Sequence, residues 1–178
     1  MMQHSSFMNT NDFTVPRRCF LQLGLGGAVV FAAAGSAAWL WRPGIVQGQL
    51  TDSGRAIFGA VASAVLEGSL RPGAVALERH LYRLNETIAG FPKTTQDELA
   101  QLLALLSVPA ASRWLTGRAL DWRAATVTEV EAALRFMRGS DNELRQQAYH
   151  ALRDLTNAAF YAQPEHWALM NYPGPTEV

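Results

Sequence analysis

The side chains best suited to acid–base chemistry are few in this sequence and stand far apart. The four histidines, His4, His80, His150 and His166, form no i, i+4 pair and no HExxH motif, so no metal site is predicted. His150 lies four residues before Asp154, which places the two side chains on one helix face. Asp154 could orient this imidazole as a base, but an exposed polar pair is the commoner result of this spacing.

Nucleophiles and cofactor motifs are equally sparse. Ser63, Ser107 and Ser112 lack the GxSxG context of a nucleophile elbow. The run Gly24-Leu25-Gly26-Gly27 looks like a fragment of a dinucleotide loop, but no strand precedes it. An iron–sulfur cluster needs several cysteines, and the chain has one, Cys19. We therefore predict no catalytic residue, no cofactor and no metal in this chain.

Charge is balanced over the 178 residues, with 15 basic and 15 acidic side chains. Three of the basic residues but only one of the acidic residues fall within residues 1–42, so the remainder is slightly acidic. Nucleic acid is bound by clustered Lys and Arg, so this balance argues against nucleic acid as a partner. Lys93 is the single lysine, and an arginine-rich surface suits bidentate pairing with a protein partner.

One stretch combines arginines with tryptophans. Arg113, Arg118 and Arg123 flank Trp114 and Trp122. The stretch could form a partner surface, or it could be a solvated basic segment with two tryptophans anchored in the core. The sequence leaves both interpretations open.

The N-terminal segment carries the most specific motif. Arg17 and Arg18 are followed by Phe20 and Leu21 and then by an apolar run, Leu21–Trp41, rich in Gly and Ala. This pattern is typical of the twin-arginine (Tat) signal, which exports folded proteins from the bacterial cytoplasm. Residues 1–42 are accordingly predicted to be a Tat signal. The run is also long enough to cross a bilayer and ends in tryptophans, so an uncleaved membrane anchor is the alternative.

Apolar residues recur at helical spacing through the rest of the chain, and no strand is predicted. Residues 43–178 are expected to form one all-α domain, an irregular bundle of about five or six helices. The helices are expected to begin at Thr51 or Asp52, at Thr95, at a Thr128–Glu131 capping box and at Asp141. Glycine and proline between these segments predict short loops.

The C-terminal tail, residues 160–178, is rich in aromatic residues and prolines and is predicted to be extended, because prolines interrupt helices. It is too apolar to remain in water, so it should fold back on the bundle or lie on a partner. Aromatic residues concentrate in interface cores. The predicted interface residues are Tyr161, Trp167, Tyr172 and Pro173.

The arginine pair, the small helical body and the tail pattern Phe160-Tyr161…Pro164…Trp167…Tyr172-Pro173-Gly174-Pro175 together resemble the gluconate 2-dehydrogenase subunit 3 family. Members of this family are the small (gamma) subunits of bacterial membrane-associated flavoprotein dehydrogenases. The family often has Leu-Gly before the tail tyrosine, where this chain has Met170-Asn171.

The resemblance implies a non-catalytic subunit of a larger complex. Its large subunit would be a glucose-methanol-choline type flavoprotein that binds FAD and oxidises an alcohol or sugar, and a cytochrome c subunit would accept the electrons. The large subunit would lack a signal of its own, depend on this chain to mature, and pass the Tat translocase with it to the periplasmic face of the inner membrane. The alternatives are a membrane-anchored adaptor and a stand-alone periplasmic enzyme or binding protein.

Overall fold

A computed structural model describes residues 43–174 of the chain. The predicted signal residues Arg17, Arg18, Phe20 and Leu21 lie outside the described residues, as does the apolar run after them. No helix in the described part has the length and apolar character needed to span a membrane.

Six α-helices make up most of the described chain, and they confirm the predicted all-α bundle. A short 3-10 helix follows the last of them. In chain order the elements are α1 (Asp52–Val65), α2 (Ala74–Ala89), α3 (Lys93–Ser107), α4 (Pro109–Thr116), α5 (Val127–Arg138), α6 (Glu143–Tyr161) and the 3-10 helix (Pro164–Met170).

A small antiparallel hairpin precedes α1, so the prediction of no strand was wrong. Its strands are β1 (Ile45–Val46) and β2 (Gln49–Leu50), with Ile45 opposite Leu50. The turn residues Gln47 and Gly48 have φ of 51° and 74°, the signs that a type I′ hairpin turn requires. Glutamine is not a usual residue at the first of these positions, which explains why no hairpin was predicted from the sequence.

The hairpin packs closely on α1. The backbone N–H of Thr51 donates to the carbonyl oxygen of Gly44 at 3.0 Å. A Cβ atom at Gly54 would lie 2.2 Å from the same oxygen, so glycine is required there for this approach. Asn85 of α2 accepts a hydrogen bond from the Leu50 N–H at 2.8 Å, which joins the hairpin to a second helix.

Helix α1 lies at the centre of the bundle and packs against α2, α3, α5 and α6. Its side chains Ile57, Phe58 and Val61 are fully buried. These three residues recur at i, i+1 and i+4, the spacing that places them on one helix face. The apolar faces of the surrounding helices close over this stripe and form the main core.

Three predicted helix starts are corrected by the structure. The capping box of α5 is formed by Thr126 and Glu129, two residues before the predicted pair, because the extended backbone that a cap requires occurs at Thr126. Asn142, not Asp141, caps α6 by accepting from the Arg145 N–H at 3.2 Å. Helix α3 begins at Lys93 rather than Thr95, directly after a proline. The predicted cap at Thr51 is confirmed.

The tail is not extended as predicted. Helix α6 continues to Tyr161, and Pro164 then begins the 3-10 helix. Proline suits this position, since its fixed φ fits a helical first turn and its missing N–H is not needed there. Asn171, with φ of 54°, ends the 3-10 helix, which packs back against α6.

Candidate functional site

The tail returns onto the end of α6 through an aromatic cluster around Phe160. The Phe160 side chain is buried, and the His166 ring stacks on it with ring centroids 3.7 Å apart and planes 6° from parallel. The Tyr161 ring meets Phe160 edge to face at 5.1 Å. This geometry holds the 3-10 helix against α6 through favourable aromatic contacts.

Two tail side chains also satisfy backbone groups at the end of α6. The last carbonyls of an α-helix have no partner within the helix. His166 Nδ1 lies 2.6 Å from the carbonyl oxygen of Phe160, and Trp167 Nε1 donates to that of Tyr161 at 2.9 Å. Because a carbonyl can only accept, His166 Nδ1 must carry a proton. The tail therefore acts as a side-chain cap on α6.

The structure brings three of the four predicted interface residues together. Trp167 binds the Tyr161 carbonyl, and its ring meets that of Tyr172 at 5.4 Å. Tyr161 and Trp167 are half-buried, while Tyr172 and Pro173 are exposed. Of the two alternatives for the tail, folding back on the bundle is therefore observed for its described part. A role of these residues in contacting a partner stays a prediction.

Three large apolar side chains of the tail face solvent, and we call them the tail surface. They are Leu169 (57% exposed), Met170 (48%) and Tyr172 (46%). Only Tyr172 was predicted from the sequence, because exposure of Leu169 and Met170 depends on which side of the 3-10 helix faces α6.

A cleft of about 650 Å³ lies beside the tail, between α2, the loop before it, the end of α6 and the 3-10 helix. We call it the arginine cleft, after the three arginines in its wall. The ionisable side chains that line it are Arg71, Arg79, His80, Arg83, Glu165 and His166.

His80 is a residue of the cleft that was not predicted from the sequence to have a role. Its side chain is 5% exposed, and its Nε2 atom has no hydrogen-bond partner among the described residues. Burial, with a smaller contribution from the neighbouring His166, lowers the pKa of His80 from 6.5 to about 4. The imidazole is therefore neutral at pH 7.

The other side chains considered for catalysis do not come together in a site within the described residues. His150 Nδ1 lies 3.8 Å from Asp154 Oδ2, and both side chains are more than half exposed, so the exposed-pair interpretation holds. Ser63 and Ser107 donate to carbonyls of their own helices at 2.9 and 2.7 Å. Neither serine forms a hydrogen bond with a histidine in the described structure. Within residues 43–174, no three side chains of the metal-binding types come together.

The two tryptophans of the arginine-rich stretch have different roles. Trp122 is buried, and its Nε1 donates to the Leu106 carbonyl at 2.9 Å, as the core interpretation required. Trp114 is 47% exposed. The Arg145 guanidinium lies between the Trp114 and Phe136 rings, 4.8 and 4.9 Å from their centroids. The partner-surface interpretation therefore remains open for Trp114 alone.

Comparison of the chain with protein-family models, curated proteins and solved structures gives no match. The resemblance to the gluconate 2-dehydrogenase subunit 3 family therefore depends on the residues quoted for it, the N-terminal arginine pair and the tail pattern.

Proposed function

We propose that this chain is the non-catalytic small subunit of a periplasmic, membrane-associated FAD-dependent dehydrogenase for an alcohol or sugar. It supplies the Tat signal, with Arg17 and Arg18, for a catalytic flavoprotein that has none, and it stabilises that flavoprotein during maturation. FAD belongs to the large subunit, and a cytochrome c subunit accepts the electrons.

The observation that carries the proposal is the tail surface. Leu169, Met170 and Tyr172 are about half exposed, although the segment that carries them folds back against α6. Adjacent large apolar side chains on a soluble surface mark sites of protein association. A tail that is already folded against α6 loses less conformational entropy when a partner covers it than an unfolded segment would, which favours tight binding.

The Tat pattern and the tail surface support the same role. A flavoprotein loaded with FAD in the cytoplasm has to cross the membrane folded. One signal moves two chains only if their complex survives transit, and that requires a large, stable interface. We expect Tyr161, Trp167, Tyr172 and Pro173 to contribute to it.

The carrier role is tested by co-expressing the chain with the glucose-methanol-choline type flavoprotein that we propose as its partner. Arg17→Lys with Arg18→Lys should leave the flavoprotein in the cytoplasm, measured as FAD-dependent dehydrogenase activity in cytoplasmic and periplasmic fractions. Flavoprotein that still reaches the periplasm would rule out the carrier role. Turnover or a bound flavin in the purified small chain would rule out a non-catalytic subunit.

The interface is tested separately with Tyr172→Ser. This variant should lose co-purification of the flavoprotein while keeping its own thermal unfolding midpoint, because Tyr172 is exposed. Tyr82→Ser is the matched control, since Tyr82 is an exposed tyrosine on α2 at 58%. Equal loss of the flavoprotein with both variants would argue against a tail interface.

A further inference from the structure

The arginine cleft has an excess of positive charge. Arg71, Arg79 and Arg83 line it, against the carboxylate of Glu165. Arg83 pairs with Glu86 at 3.0 Å, and Glu165 Oε1 lies 3.6 Å from His166 Nε2. Within residues 43–174, Arg71 and Arg79 form no ion pair. Two guanidinium groups therefore remain available to an anion in the cleft.

A buried polar atom in the cleft also lacks a partner. In folded proteins, buried nitrogen and oxygen atoms nearly always have a hydrogen-bond partner. His80 Nε2 has none among the described residues, although only 5% of His80 is exposed. A neutral imidazole carries a donor on one nitrogen and an acceptor on the other, so Nε2 can offer a donor to a bound oxygen. His80 is one of the residues that line the cleft, so a ligand bound there lies next to this unpartnered nitrogen.

Besides the ionisable groups, the wall of the cleft includes the polar side chains of Ser69 and Gln163 and several apolar residues. Leu70 and Leu169 line it beside the ionisable groups. A volume of about 650 Å³ is within the range of small-molecule sites, and it exceeds what a bare inorganic anion would fill. The wall thus suits a ligand that combines an oxyanion with a hydrocarbon body.

We propose that the arginine cleft binds a small organic anion, a carboxylate or phosphate ester. Arg71 and Arg79 pair with its oxygens, since guanidinium groups match carboxylate and phosphate geometry. The Nε2 atom of His80 hydrogen-bonds to the ligand, and Leu70 and Leu169 contact its hydrocarbon part. Leu169 also belongs to the tail surface, but ligand binding is measured on the isolated chain and so does not depend on the proposed role in export.

The test measures the affinity of the purified full chain for phenyl phosphate and for benzoate by isothermal titration calorimetry. Phenol is the neutral control. One of the anions should bind saturably, and phenol should not. The double variant Arg71→Gln with Arg79→Gln should weaken binding at least about 10-fold, the loss expected from removing charge-assisted hydrogen bonds. Both arginines are exposed, so the variant should keep its fold, checked by its thermal unfolding midpoint.

Arg138→Gln is the matched control, because Arg138 is an exposed arginine at the end of α5 and not in the cleft wall. It should leave the affinity unchanged. A second readout is nitrogen NMR of the imidazole ring, in which the ligand should shift the His80 Nε2 resonance. Absence of saturable binding by either anion up to about 10 mM, beyond which affinity is negligible, would overturn the proposal. Equal weakening by Arg138→Gln, or an unchanged His80 resonance, would also overturn it.

Discussion

At the scale of single residues, His80 makes the free energy of unfolding depend on pH. Its pKa is held at about 4 in the folded chain, chiefly by burial and further by His166, whereas the exposed imidazole of the unfolded chain keeps the ordinary value of 6.5. Between these two values the unfolded state binds more protons than the folded state. Stability must then rise with pH across this window.

We predict that the free energy of unfolding falls as the pH is lowered from 7 to 5, with a contribution from His80 of about 2 kcal/mol. His80→Leu removes the titrating group and should flatten the profile by that amount. Urea unfolding of both proteins at several pH values measures the difference.

His150→Gln serves as the control for this experiment, because His150 is exposed and its replacement should leave the slope of the parent chain. If His80→Leu keeps that slope as well, the imidazole of His80 is not protected from protonation in the folded chain.

A single buried histidine has no sequence signature, and this explains why His80 could not be selected in advance. Its environment is made by Phe160, 6.2 Å away between ring centroids, and by His166, both about 80 residues further along the chain. By contrast, the aromatic residues of the tail could be selected, since their density next to prolines is visible in the sequence itself.

At the scale of the elements, the start of α5 shows how a local motif can be ambiguous. The chain contains two overlapping matches to a capping box, Thr126-x-x-Glu129 and Thr128-x-x-Glu131. In the structure, Thr126 Oγ1 accepts from the Glu129 N–H at 3.3 Å, and Glu129 accepts from the Thr126 N–H at 2.9 Å. The Glu129 carboxylate also accepts from the Thr126 hydroxyl at 2.8 Å. The two bonds to this carboxylate, the backbone bond being the larger cause, lower the pKa of Glu129.

We predict that Thr126→Ala lowers the free energy of unfolding by about 1 kcal/mol, the usual loss for an N-cap. Thr128→Ala, in the first turn and exposed, should change it by less than about 0.5 kcal/mol. Urea unfolding at pH 7 distinguishes the two. A larger effect at Thr128 than at Thr126 would favour the Thr128–Glu131 capping box that was predicted from the sequence.

The choice between the two boxes depends on contacts distant in sequence. Trp122 donates its indole N–H to the Leu106 carbonyl, which anchors the loop before α5 to the end of α3. Helix periodicity alone locates Val130, Leu134 and Met137 on the buried face, whichever threonine caps the helix. The face of α5 was therefore predictable, and its first residue was not.

At the scale of the whole molecule, the bundle has one main core arranged around α1. The recurrence of apolar residues was enough to predict the helices and their buried faces. It could not predict the hairpin or the 3-10 helix, because both depend on tight turns that are stabilised by packing against α1, α2 or α6. The arginine cleft was unpredictable for the same reason, since its walls come from distant segments.

We predict that Phe58→Ala lowers the free energy of unfolding by about 3–5 kcal/mol, because the fully buried ring lies on the central helix. Far-UV circular dichroism and tryptophan fluorescence should report the same shifted transition, as expected of a single cooperative core.

Phe136→Ala is the matched control, since Phe136 is 44% exposed, and its replacement should cost less than about 1 kcal/mol. Separate transitions for the two signals in Phe58→Ala would mean that the helices around α1 unfold independently.

Because of the side-chain cap, the stability of the last turn of α6 depends on residues that come after the helix in the sequence. Peeling the tail away withdraws the donors of His166 and Trp167, uncovers Phe160 and removes one wall of the arginine cleft in the same step. Fraying of the helix terminus and loss of the cleft are then a single event. A molecule that binds the tail and holds it against α6 would therefore reduce both the fraying of the helix end and the loss of the cleft.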